Sequence, residues 1–148
     1  MKKNITTFFF LFIFPFFLYG CQHLMETPKV IWGSSLKELE DARVHADKRT
    51  YFCRFEDCYN AILALDRSHP GKPFTKKFFD IFMKDPIRGV IVVMGIQGNI
   101  DTTEVGIFLR EHKDNSLDVE VTSCSSSAQE KAAAAIFLEL DKQFIHKQ

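Results

Sequence analysis

The chain has 148 residues, a length typical of one domain. Basic and acidic side chains number 19 each, so the formal net charge is zero, which excludes a nucleic-acid-binding protein that works through bulk positive charge. A hydrophobic fraction of 46% with 26% charged residues is typical of a globular chain and excludes a disordered one. Phenylalanine is over-represented at 16 residues, and seven of them precede residue 18, so much of the excess belongs to the N-terminal segment.

Residues 1–20 predict a signal peptide. Lys2 and Lys3 form a short positive region, and an apolar run of eleven residues follows over 8–18. This run is shorter than the roughly 20 residues of a membrane-spanning helix, and it matches the hydrophobic region of a secretory signal peptide, which is removed after export. The sequence at its end, Leu18-Tyr19-Gly20-Cys21, resembles the lipobox of bacterial lipoproteins.

The lipobox resemblance implies that Cys21 becomes the N-terminus, is acylated, and anchors the protein to a membrane. Several acyl chains together give stable anchoring, whereas one alone is marginal. Gln22, rather than Asp, follows the cysteine, which under enteric-type sorting favours the outer membrane, facing the periplasm. Removal of residues 1–20 deletes two lysines and no acid, leaving 17 basic and 19 acidic groups and a net charge of −2. We therefore expect no nucleic-acid partner.

The segment after the cysteine predicts a tether and then a helix. Residues 21–33 contain Pro28 and lack a sustained period, so we interpret them as a lipidated linker. Over 34–48, serines that can cap a helix precede apolar residues at helical spacing. This N-terminal helix is interpreted as a surface or stalk helix, and 49–148 as one globular domain.

The globular domain shows five strand patterns and two helix patterns. Alternation around Tyr51 to Phe55 predicts the first strand, and Cys58, Ala61, Ile62 and Leu65 form one face of a helix that Asp57 can cap and that His69-Pro70-Gly71 ends. The last helix begins at a Ser127–Glu130 capping box. Its apolar face comprises Ala133, Ile136, Phe137, Leu140 and Phe144. The four intervening strands are predicted over 78–84, 90–94, 103–110 and 117–122.

The element order β-α-β-β-β-β-α, preceded by a short helix, predicts the fold class. Consecutive strands joined by short turns form an antiparallel meander, and two helices with apolar faces cover one side of it. We expect an α+β two-layer sandwich with a mostly antiparallel sheet of about five strands. The body is similar to small bacterial envelope lipoproteins with a strand-helix-meander-helix domain, on the basis of segments 51–62 and 102–108.

Cys53 and Cys58 are the strongest candidates for chemistry. Export to an oxidising compartment favours a disulfide between them that ties the strand to the helix. The alternative is a thiol-dependent redox or carrier protein, because a thiol near a helix N-terminus has a lowered pKa. Their spacing differs from the Cys-x-x-Cys of thioredoxin-like sites. Cys124 remains as a buried thiol or as a competing disulfide partner.

The remaining candidate residues give little indication of a metal-binding or catalytic site. The five histidines are scattered without metal-ligand spacing, so we expect surface or loop roles and no metal. Asp101 and Glu104 follow two glycines and could form a carboxylate pair, but a strand connection with an Asx turn is the favoured interpretation. No catalytic motif is present, so we expect a protein that is not an enzyme and needs no cofactor.

Phe78, Phe82 and Phe108 form the last candidate, a patch for a partner. Strand alternation places them on the sheet face opposite the two helices, where clustered exposed aromatics would mark a contact surface. Equally, the helix over 35–47 or the loop over 70–76 could cover them. The sequence thus predicts a membrane-anchored envelope lipoprotein that acts as a non-enzymatic binding or structural module, with another envelope protein as its partner.

Overall fold

The computed structural model describes residues 35–66, 78–100 and 102–147. The compact unit Glu38–Gln148 contains one antiparallel sheet; of the other unit, Met1–Lys37, only residues 35–37 are described, and they are helical. Helix α1 covers residues 35–42, and a 3-10 turn, Arg43–His45, follows it. The other elements, in chain order, are β1 (Asp47–Phe52), α2 (Phe55–Leu63), β2 (Asp80–Asp85), β3 (Val90–Met94), β4 (Val105–Glu111), β5 (Leu117–Ser123), α3 (Ser126–Asp141) and β6 (Ile145–His146).

The strand order is β2-β3-β4-β5-β1-β6, with every neighbouring pair antiparallel. The predicted α+β class and the meander of β2 to β5 are confirmed. Strand β1 returns to the sheet beside β5, and the sixth strand, β6, was not predicted. It is two residues long, which is too short for an alternation to show in the sequence.

One face of the sheet packs against α2 and α3 and forms the core. Tyr51, Ile91 and Ile107 are fully buried there, together with Ile136 and Leu140 of α3. The predicted apolar stripe of α3 is confirmed from Ala133 to Leu140, and its buried alanines allow the helix to approach the sheet closely. Phe144, the last predicted member, lies beyond the helix end at Asp141 and is partly buried against the core. The apolar strand β3 is buried along almost its whole length, as expected for an interior strand.

Helix α1 covers part of the second face of the sheet. Leu39 is only 2% exposed, and a Cβ built on Gly106 of β4 would lie 3.4 Å from the Leu39 Cβ and 2.8 Å from the Phe108 ring. The glycine therefore leaves the space that these two side chains fill. Arg43 lies over the Phe108 ring, 4.4 Å from its centre. Arg43, in the 3-10 turn after the helix, thus covers Phe108.

Two predicted helix caps are wrong. Helix α2 begins at Phe55, with Arg54 at the N-cap, so Asp57 lies in the first turn and forms an ion pair with Arg54 at 2.9 Å. Helix α3 is capped by Ser125, whose Oγ accepts a hydrogen bond from the Ala128 backbone N–H, two residues before the predicted Ser127. The predicted stop at 69–71 and the loop over 70–76 lie outside the described residues.

Candidate functional site

The polar residues of β5 are buried on the second face of the sheet. The sequence pattern predicts a half-buried strand with its polar side exposed, yet Asp118 is 2% exposed and Glu120 is 7% exposed. That part of the prediction is wrong. Strand β1 on one side and strand β4 on the other place cationic side chains over both carboxylates.

Asp118 has three hydrogen-bonding partners at short distance. Its Oδ2 lies 2.6 Å from Lys48 Nζ and 2.8 Å from His112 Nε2, and its Oδ1 accepts a hydrogen bond of 2.7 Å from the Thr50 hydroxyl. Burial alone would raise the pKa of this carboxyl. The hydrogen bonds from Lys48, Thr50 and His112 outweigh burial and lower the pKa to about 2, so Asp118 stays ionised at neutral pH.

Glu120 is held mainly by two arginines. Arg43, which follows α1, donates from Nε at 2.8 Å and from Nη2 at 2.5 Å to the same carboxylate oxygen, and Arg110 of β4 lies 3.1 Å from the other oxygen. Lys48 lies 3.7 Å from Glu120 and bridges the two acids. We name this set the Asp118 cluster. It comprises Asp118, Glu120, Arg43, Lys48, Arg110 and His112.

An open groove of about 830 Å³ lies at one end of the cluster, where β1, β5 and the turn before β5 meet. The turn is shaped by Asp114, which accepts hydrogen bonds from the Ser116 N–H at 3.2 Å and from the Ser116 hydroxyl at 2.6 Å. Lys147 reaches Asp114 at 2.8 Å, and this ion pair is the first cause of the lowered pKa of Asp114. We name it the lysine groove. Its lining residues are Lys48, Thr50, His112, Lys113, Asp114, Ser116, Asp118 and Lys147.

The lysine groove carries an excess of positive charge. Three lysines face two carboxylates. Since the carboxylates are already engaged by hydrogen bonds, the arrangement favours an anion in the open space above them. Within the described residues, no group of three or more His, Cys, Asp or Glu could hold a metal ion.

The three predicted patch residues do not share an exposed surface. Phe108 is buried, at 4% exposed, beneath the guanidinium of Arg43. Phe78 is partly buried and packs against the core, with its ring edge-on to Phe79. Phe82, at 40% exposed, is the large exposed residue of the three and lies at an irregularity in the pairing of β2 with β3.

The predicted disulfide is present. Cys53 and Cys58 are bonded, with a Cα–Cα distance of 6.3 Å, and they join the end of β1 to the first turn of α2. Cys58 is fully buried. Cys124 is a free thiol and is exposed, so neither expectation for it, a buried thiol or a competing partner, matches its placement.

Several predicted residues lie outside the described part of the chain. Cys21 and the segment 1–33 are among them, and so is Asp101, so its pairing with Glu104 is untested. Asn99, in the connection between β3 and β4, accepts a hydrogen bond of 3.1 Å from the Ser127 hydroxyl of α3. No helix in the part of the chain that is described is both long enough and apolar enough to span a membrane.

Sequence reasoning missed the Asp118 cluster although its parts were visible. Strand β5 alternates acids with apolar residues, and β1 carries Lys48 and Thr50 at the same spacing. In the sheet, Thr50 pairs with Asp118 and Lys48 pairs with Glu120. The complementary charges become informative only when β1 is known to lie beside β5, and that pairing joins strands that are distant in the sequence.

Comparisons with known proteins add no relative to this picture: no protein-family model, curated protein or solved structure matches the chain. The fold thus defines the class, an α+β protein with one open six-stranded antiparallel sheet.

Proposed function

We propose that the protein is an exported lipoprotein, anchored through Cys21, whose unit Glu38–Gln148 is a non-enzymatic binding module facing the periplasm. The observation that carries this proposal is the disulfide between Cys53 and Cys58. Disulfides persist in oxidising compartments and are rare in the cytosol. The signal-peptide pattern and the lipobox resemblance at residues 8–21 favour the same compartment independently.

The binding role is supported by the lysine groove. The carboxylate of Asp118, which is fixed by three hydrogen bonds, lines the groove, while the lysines around it keep exposed side chains. Because these groups are already held in place, a charged partner can bind with little loss of conformational entropy in the protein. The partner would be another component of the envelope.

The alternative, a thiol-dependent redox or carrier protein, has less support. A redox disulfide needs a sulfur that a substrate thiol can reach. Cys58 is fully buried, and Cys53 is partly buried and packs against the core. We therefore interpret the Cys53–Cys58 bond as structural.

Acylation of the protein in a bacterial host tests the anchor. The full chain, carrying a C-terminal tag, is expressed with radiolabelled palmitate, and incorporation into the purified protein is measured. We expect label in the wild type and in Cys124→Ser, which removes an exposed thiol, and none in Cys21→Ser. Label retained by Cys21→Ser, or absent from the wild type, would refute the proposed anchor.

A further inference from the structure

We infer that the lysine groove binds a phosphate group, with Lys48, Lys113 and Lys147 as its principal ligands. This inference names the ligand class of the proposed binding module and rests on that proposal. It is argued from charge, from unused hydrogen-bond donors and from the rigidity of the groove.

Charge supports a phosphate over a neutral ligand. The groove has three lysines against Asp114 and Asp118, a surplus of one positive charge. A phosphate monoester carries about −1.5 to −2 at neutral pH, and a diester carries −1. Binding would therefore bring the groove close to neutrality. A carboxylate offers two acceptor oxygens, whereas a phosphate group presents more oxygens to several amines at once.

The lysines that line the groove keep hydrogen-bond donors for a ligand. Lys48 contacts Asp118 at 2.6 Å and Lys147 contacts Asp114 at 2.8 Å, yet their side chains remain 44% and 47% exposed, so each ammonium keeps N–H groups for a ligand. Among the described residues, Lys113 has no hydrogen bond or ion pair, so its full charge is available.

The backbone around the groove is held in place before any ligand binds. The Lys147 N–H donates a hydrogen bond of 2.7 Å to the Thr50 carbonyl, which extends the pairing between β1 and β6 to the lysine itself. The turn that carries Lys113 is closed by Asp114, and Asn115 takes the left-handed conformation there, at φ 59°. The His112 N–H donates to the Ser116 carbonyl at 2.8 Å. Because the backbone that carries these lysines is already ordered, it loses little conformational entropy when a phosphate binds.

A lipid headgroup and a soluble phosphate share this chemistry, and the test separates them. The protein used is the chain from residue 21 onward with Cys21→Ser, which retains the whole compact unit Glu38–Gln148 and has no acyl group. Inorganic phosphate is titrated against chloride at matched ionic strength, and the backbone amide shifts of residues 112–116 are followed by NMR. A second arm measures sedimentation with phosphatidylglycerol vesicles and with phosphatidylcholine vesicles.

Two matched double variants control for general loss of charge. Lys113→Ala with Lys147→Ala removes one unpaired and one ion-paired lysine from the groove. Lys84→Ala with Lys142→Ala removes an exposed lysine of the distant strand β2 and a lysine that is ion-paired with Glu139 at 3.5 Å. Thermal unfolding verifies that both variants fold.

We expect saturable phosphate binding that the groove variant weakens about tenfold, near threefold for each lost lysine, and that the control variant leaves unchanged. Sedimentation with phosphatidylglycerol vesicles that phosphate competes away would identify a lipid headgroup as the ligand. Phosphate binding without sedimentation would identify a soluble phosphate. No saturable shift, or equal weakening in both variants, would overturn the inference. Because the acyl group is absent, this result is independent of the palmitate experiment.

Discussion

Asp118 lies in the middle of the second face of the sheet and stays ionised because three side chains donate to it. Its folded-state pKa, about 2, is below its ordinary value of 3.8. A depressed carboxyl pKa stabilises the folded protein fully above the unfolded pKa, and this contribution is lost as the pH falls through the folded pKa. The shift corresponds to about 2 kcal/mol of stability at neutral pH.

Asp118→Asn is therefore expected to lower the free energy of unfolding by about 2 kcal/mol at pH 7. The difference from the wild type should shrink between about pH 4 and pH 2, because the wild-type carboxyl becomes protonated over that range. Urea unfolding at several pH values measures this difference in the free energy of unfolding. Asp41→Asn, which changes an exposed carboxylate of α1, is the control. A difference that does not vary with pH would show that the charge of Asp118 contributes nothing.

Gly89 and Gly98 both have positive φ, 66° and 79°, but only Gly89 is crowded. A Cβ on Gly89 would lie 2.4 Å from the carbonyl oxygen of Leu109, whereas a Cβ on Gly98 would meet nothing within 4 Å. Gly98→Ala should lower the free energy of unfolding by about 1 kcal/mol, through the strain of the left-handed conformation alone. Gly89→Ala should lower it by at least about 2 kcal/mol more, because of the clash with Leu109. Chemical denaturation of the two variants compares them directly, and equal losses would refute the predicted clash.

Elements with a sustained local sequence pattern could be predicted, whereas elements whose conformation depends on contacts distant in the sequence could not. The stripe of α3 and the apolar run of β3 follow from residues close in sequence, as Ile136 and Ile91 illustrate. The two residues of β6 acquire their conformation from pairing with β1, which no local pattern encodes. The N-cap of α3 is Ser125 and not the predicted Ser127. Three consecutive serines can each cap a helix, and only the fold selects one of them.

Helix α1 is attached to the sheet mainly through Leu39, Arg43 and the ion pair between Glu40 and Arg88 at 2.6 Å. Leu39→Ala should weaken this attachment by about 2 kcal/mol, which corresponds to about thirtyfold faster hydrogen exchange of the α1 amides. Amides of β3 and β4 should keep their protection, because the core on the other face is unchanged.

Val44→Ala is the control for this measurement, since Val44 lies in the 3-10 turn after α1 and is 84% exposed. The amides of α1 should exchange at the wild-type rate in that variant. Equal acceleration in the two variants, or simultaneous loss of protection throughout β3 and β4, would contradict the view that burial of Leu39 helps to anchor the helix to the sheet.

For the whole molecule, the sequence predicts compartment and fold class, and the site emerges only from the assembled sheet. The Cys53–Cys58 bond could be expected because both cysteines lie within one strand-helix unit, and it is present. The phenylalanine patch could not be judged from alternation, because Phe108 is covered by Arg43 and Phe78 packs against the core. The lysine groove joins strand β1 to the end of the described chain at Lys147, across almost one hundred residues.

The intact mass of the protein purified from its native membrane tests the central claim, that this is an exported and lipid-anchored protein with one structural disulfide. We predict a chain that begins at Cys21, carries the added mass of acyl groups, and gains about two mass units on reduction. A chain that still begins at Met1, one cut elsewhere without lipid, or one whose mass does not change on reduction would contradict the claim.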